Sequence, residues 1–225
     1  MIASRNNVRM PAFGEVATDP AAGLGELALA LAAEFRAVDE DAALVRLDAL
    51  AADVAAVAAQ RDALDALGEV LGGRRGFAGA GREYDHPDNS MLDLVLERGR
   101  GLPIALSVVY VETARRAGIA LDGVGLPGHY VVGQFAPSGA APALLDPFAG
   151  GVRLHAAAAA GPDVRAWGAH ETALRMLNNL VASYTRRNDL GHAIRAAEMR
   201  LELALERGLA KTLGAELRGL RARLN

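Results

Sequence analysis

The chain of 225 residues contains no cysteine. That absence removes disulfides, thiolate metal ligands and any thiol nucleophile, so a secreted disulfide scaffold and a cysteine-dependent enzyme are both excluded. Aromatic residues are scarce at 4%, and none is interleaved with the basic C-terminal residues Lys211, Arg218, Arg221 and Arg223. Stacking on nucleic-acid bases therefore lacks its platform. Neither sign of charge dominates, and a formal net charge of −3 points to no nucleic-acid or membrane partner. Long apolar runs are missing too: the longest, Leu27–Ala33, is far too short to span a bilayer. The opening residues mix Arg5, Arg9, Glu15 and Asp19 with Asn, Pro and Gly and lack the apolar centre of a signal peptide. Residues 1–20 are thus expected to form a loose leader, and the protein to be cytoplasmic.

What is present is ample apolar material, 52% of residues, enough for one domain with an accessory helical piece. Leu24, Leu27, Leu31 and Phe35 recur at the spacing of one helix face. A second helix is predicted from Asp41 through Leu44, Leu47, Ala51, Val54 and Ala58, and a third through Leu64, Leu67 and Leu71, with Gly72-Gly73 as its stop signal. After a loop rich in Gly, Asp, Asn and Pro, Ser90 is placed to cap a helix through Leu92, Val95 and Leu96. Pro103 suits the first turn of the next helix, which runs through Leu106, Val109, Tyr110 and Ala114 and is apolar almost all round. It is expected to be the buried central helix.

Two strands follow, Gly128–Phe135 and Ala143–Phe148, joined by a turn-rich loop, with Val152–Leu154 as a further short strand. The stretch Ala156–Ala160 reads as helix or filler. From His170 the chain returns to helix, with Leu174, Leu177, Val181 and Tyr184 on one face, then Leu190, Ile194, Ala197, Leu201 and Leu205 on the next. The fold class expected is α+β. A helical N-terminal region and a small antiparallel sheet against a buried helix fill residues 21–168, and a helical hairpin in residues 169–225 docks on them.

One pair of residues could carry chemistry. His129 and Asp146 lie on consecutive strands, and the midpoint between them falls inside the connecting loop. Antiparallel pairing then brings them level to within a residue or two, across a strand separation of about 4.8 Å. A carboxylate can orient an imidazole there, which is two-thirds of a Cys-His-Asp arrangement.

An ordered series of motifs surrounds this pair: Phe77-Ala-Gly, Tyr84, Pro87-Asp-Asn-Ser90, Gly101-Leu-Pro-Ile-Ala-Leu-Ser107, Pro127-Gly-His-Tyr130, Asp146-Pro-Phe-Ala-Gly-Gly151 and Arg175-Met-Leu-Asn-Asn-Leu180. In this order they resemble the SirB-type transglutaminase-like family of bacteria, whose members are usually followed by a tetratricopeptide-like tail. The resemblance runs from about Leu24 to about Leu205. It implies a transglutaminase-like (papain-like) core, with His129 and Asp146 at the matching His and Asp positions. The nucleophile of thiol-active relatives would fall at or next to Pro103, which carries no nucleophile. Ala80 departs from the family, where Asn is usual, and so does the sequence after Arg207.

The resemblance and the missing thiol together give a non-catalytic, protein-binding or regulatory module as the leading expectation, with an unidentified protein as partner. Under it His129 and Asp146 are a hydrogen-bonded pair that pins a hairpin. The alternative is a hydrolase or acyl-transfer enzyme using that pair with a non-thiol nucleophile. Ser107, one turn past Pro103, is the candidate, although a helical serine more commonly bonds back to a carbonyl. A third reading is a peptide- or amine-binding protein that uses the old cleft. Tyr84, Asn89, Ser90 and Pro103 complete the candidate binding set. Asp85, His86 and Asp88 share one loop without the spacing of a metal site, and no metal or cofactor is expected.

Overall fold

A computed structural model describes residues 11–81, 83–155, 164–203 and 206–224. The Ala156–Ala160 stretch lies outside them. Helix α1 (Phe13–Ala17) falls inside the stretch expected to be a loose leader. Phe13, Val16 and Ala17 are buried, so that expectation is corrected for this helix, while residues 1–10 lie outside the described ones. Five residues without a capping side chain hold no helix alone. Tertiary contact does, with the Phe13 N–H donating to the Glu34 carboxylate at 3.0 Å.

Helix α2 (Leu24–Ala33) is buried nearly all round, and α3 (Glu40–Ala58) begins at Asp39, whose carboxylate accepts from the Ala42 N–H. Helix α4 (Ala63–Leu67) does not stop at the Gly72-Gly73 pair. It winds on as a π-helical turn over Gly68–Arg74. Gly72 is needed there for close approach rather than for termination, because a Cβ would collide with the carbonyl oxygen of Gly150.

A short parallel pair, β1 (Ala78–Gly79) with β2 (Arg100–Gly101), brackets a 3-10 turn at Pro87–Ser90 and helix α5 (Leu92–Arg98). Met91 is the N-cap of α5 and makes no side-chain cap bond, so the capping role expected for Ser90 is corrected. Ser90 is buried instead. Gly99, at φ 65°, closes α5. Helix α6 (Pro103–Arg116) starts with its proline in the first turn, and every residue from Pro103 to Tyr110 is buried. It is the central helix expected.

The main sheet has the order β3 (Asp122–Leu126), β4 (His129–Gln134), β5 (Ala143–Asp146), β6 (Val152–Arg153), antiparallel throughout. Strand β3 was not legible beforehand; its run Asp-Gly-Val-Gly-Leu has no apolar alternation. Tyr130, Val132 and Leu145 join the core that contains α6, whereas Val124, Val131 and Leu144 form a smaller cluster on the other face. Among the described residues the C-terminal region is three helices, α7 (Ala169–Arg186), α8 (Leu190–Glu202) and α9 (Arg207–Ala222), one more than a hairpin. Helix α7 packs on α2 and α8 on α1. The buried faces are set by Ala173, Met176, Leu177 and Leu180, then by Ala193, Ala196 and Met199. Leu201 is exposed, one residue off the face that leucine spacing suggested. Among the described residues no helix is long and apolar enough to cross a membrane.

Glu112 of α6 ties the helical layers together. Its buried carboxylate accepts from the Gly25 N–H at 3.0 Å, one of the donors that the start of α2 leaves without an intrahelical partner. It also takes Arg115 at 3.1 Å and Arg116, which reaches Asp48 of α3 at 3.1 Å. Burial pushes the Glu112 carboxyl up, but the hydrogen bonds from Arg116 and Arg115 outweigh it and leave the group below the ordinary glutamate range. With its folded value below its unfolded one, Glu112 stabilises the protein above the ordinary range. That stabilisation is lost as pH falls through the lowered folded value. Replacing Glu112 by Gln is expected to cost about 1–3 kcal/mol at neutral pH and to flatten this acid limb, as read from urea unfolding at stepped pH.

Candidate functional site

The site grows from the hairpin of β4 and β5. Their register pairs Val132 with Leu145 and Gly133 with Leu144, so His129 and Asp146 stand diagonally, two residues out of direct opposition. Both share the parity of Val131 and Leu144 and leave the sheet on one face. The expected contact forms: His129 Nε2 lies 2.9 Å from Asp146 Oδ2. Asp146 is itself held, because its Oδ1 accepts from the Phe148 N–H at 2.9 Å and the Ala149 N–H at 3.3 Å. A carboxylate pinned by two backbone donors is a rigid partner for an imidazole.

This arrangement sets the chemistry of the ring. In the neutral imidazole, the proton sits on Nε2, facing the carboxylate, and Nδ1 carries the lone pair. The His129 side chain is 31% exposed and no described residue bonds to Nδ1, so a partly exposed ring with an unpaired acceptor results. Two rings extend the surface. His129 meets Phe148 edge-on at 6.1 Å, and Phe148 meets Tyr84 edge-on at 5.9 Å. Tyr84 is 46% exposed. Phe148 reaches this position because residue 79 is glycine: a Cβ there would run into the Phe148 ring, and the Gly79 N–H donates to the Phe148 carbonyl at 2.9 Å.

The other candidate residues divide between this surface and the interior. Asn89 donates from Nδ2 to the carbonyls of Glu83 at 2.9 Å and Tyr84 at 3.2 Å, and its own carbonyl accepts from the Leu102 N–H at 2.8 Å. It thereby ties the Tyr84 loop to the head of α6. Ser90 and Pro103 are buried. Ser107 is fully buried, and its Oγ makes no hydrogen bond within the described structure; it is not partnered with His129. In the loop before it, His86 Nδ1 accepts from the Asp88 N–H and Asp85 pairs with Arg186. Among the described residues no cluster of three or more His, Asp or Glu is placed to hold a metal ion.

Three positions escaped the sequence reading. Arg175 of α7 donates to the His129 carbonyl at 2.9 Å and lies over the rings of Tyr130 and Trp167 at 5.5 Å each, so it anchors the start of β4 to the C-terminal helices. Phe148 bridges His129 and Tyr84. The Tyr110 hydroxyl is buried without a partner among the described residues, and burial together with the nearby Asp146 charge pushes it well above the usual tyrosine range. The only signal for Phe148 and Arg175 was their presence in the motifs Asp146-Pro-Phe and Arg175-Met-Leu; Tyr110 was read only as a packing residue of the buried helix.

The transglutaminase-like superfamily model matches residues 41–188, more than half of the chain and the whole of the site. A UPF0162 protein of Xylella fastidiosa is 38% identical over 156 residues, covering 61% of this chain and 54% of that protein. A UPF0162 protein of Pseudomonas aeruginosa is 35% identical over 121 residues, covering 52% and 44%. Human F-box only protein 21 is 34% identical over 73 residues, covering 32% of this chain and 12% of its own. The chain therefore spans about half the length of the bacterial relatives it matches. No solved structure matches it.

The two backbone donors on Asp146 yield a graded expectation. Asp146→Ala leaves the N–H groups of Phe148 and Ala149 and the ring of His129 without their acceptor, and is expected to cost about 1–3 kcal/mol. His129→Ala leaves Asp146 still bonded to both N–H groups and is expected to cost less. Urea midpoints of the two variants check this order.

Proposed function

The chain belongs to the transglutaminase-like superfamily, and we propose that it is a non-catalytic member working as a protein-binding or regulatory module in the cytoplasm. The observation that carries this reading is the head of α6. A nucleophile opening that helix would occupy the position of Pro103, which is buried and fixes the first turn. The nearest hydroxyl further along, Ser107, is sealed away from His129. A base and its orienting carboxylate without a nucleophile form no acyl intermediate.

The pair keeps a use without catalysis. Nδ1 of His129 accepts a hydrogen bond, while the faces and edges of Tyr84 and Phe148 offer apolar contact beside it, a combination suited to a peptide segment that presents an N–H or O–H donor. The SirB-type assignment and the tetratricopeptide-like character of α7 and α8 belong to the same proposal. Two packed helices of this kind extend a binding surface. An acyl-transfer enzyme with a non-thiol nucleophile is the second reading, and the intact, partly exposed His129–Asp146 pair is what favours it.

An assay on glutamine-containing peptides with an amine acceptor separates the two readings. The purified protein and its His129→Ala variant are expected to be indistinguishable from buffer, for both amide hydrolysis and transamidation. Turnover in the parent that disappears in the variant would overturn the proposal, and Ser107→Ala would then be the next variant to make.

A further inference from the structure

A second site lies away from the hairpin. Helix α3, the segment after the π turn and the end of α5 border a half-open cavity of about 330 Å³, at the small end of the range for small-molecule sites. Its floor is apolar: Leu50, Phe77 and Leu96 are buried there. Arg46, Arg75 and Arg98 line it, against the single carboxylate of Glu97.

The guanidinium groups differ in what they leave free. Arg75 spends Nε and Nη2 on Asp53, which does not line the cavity, and keeps Nη1. Arg98 spends Nη1 on Asp88 at 3.0 Å, also outside the lining, and keeps Nε and Nη2. Arg46 makes no ion pair or hydrogen bond among the described residues and retains all its donors. Two of the three cations are thus fixed in place by acids behind them, while their remaining N–H groups and the whole of Arg46 are unspent. Planar N–H forks of this kind match the oxygens of a carboxylate or phosphate.

We propose that this cavity binds a small ligand with an apolar body and one oxyanion group. The apolar part lies on Leu50, Phe77 and Leu96, and the oxyanion meets Arg46. Glu97 opposes a second anionic group placed elsewhere on the ligand. The site is independent of His129 and Asp146 and requires nothing of the proposed function.

The probe is 1-anilinonaphthalene-8-sulfonate, an aromatic body with one anionic group, titrated by fluorescence against the folded full chain. Phenylacetate and phenyl phosphate serve as competitors that distinguish carboxylate from phosphate. One saturable site per chain is expected, displaced by at least one competitor. Arg46→Gln is expected to weaken it about tenfold, the equivalent of one charge-assisted hydrogen bond. Ala49→Trp should weaken it at least as much by filling the cavity from the exposed face of α3 with every charge retained. Arg218→Gln, which removes an exposed charge from α9, is expected to leave binding unchanged. Binding that is absent, that survives either cavity variant, or that falls equally with Arg218→Gln overturns the proposal.

Discussion

The turn from Asp146 to Gly151 lies against the π turn and β1 at a distance that no side chain at positions 72 or 79 would permit. From this close approach the rest of the site follows. The Gly79 N–H holds the Phe148 carbonyl, which fixes the turn. The N–H groups of Phe148 and Ala149 then fix the Asp146 carboxylate, and that carboxylate fixes the His129 ring. Packing of backbone on backbone is thus converted, bond by bond, into the orientation of one imidazole. The same turn places Phe148 between His129 and Tyr84, so the aromatic surface and the polar pair share one support.

A rigid base oriented by a carboxylate is half of a catalytic device. The other half would come from α6, and there the chain has invested in structure. Pro103 pre-sets the first turn, the residues up to Tyr110 are buried on every side, and Glu112 reaches back to the start of α2. A helix so committed to packing has little room for a reactive group at its head. The outcome is a site with a well-defined acceptor and an apolar flank.

How much of this was legible in the sequence depended on whether periodicity carried the signal. The buried helix α6 was plain because its apolar residues leave no polar face, and the His129–Asp146 contact followed from symmetry about the loop. Strand β3 was invisible because Gly123 and Gly125 interrupt any alternation, although they sit against Tyr130 and Trp167 for a packing reason. The π turn was hidden because Gly72-Gly73 is also the ordinary sign of a helix end. On α7 the expected Leu177 and Tyr184 are buried, but on α8 leucine spacing pointed to Leu201 whereas alanines and Met199 define the buried face, since Ala is apolar but silent in a pattern read from large residues. Arg175 and Tyr110 act through tertiary contacts 46 and 36 positions from His129 and Asp146, which no local pattern encodes.

The site turns on the state of one ring, and nitrogen NMR of His129 in the ¹⁵N-labelled protein reads it directly. The geometry predicts that neutral His129 carries its proton on Nε2, with Nδ1 bare. In Asp146→Asn the acceptor at Nε2 is weakened, and that preference should give way to a mixture of tautomers. A proton on Nδ1 in the parent, or a tautomer mixture that Asp146→Asn leaves unaltered, would contradict the central claim that the Asp146 turn orients His129 with Nδ1 as an unpaired acceptor.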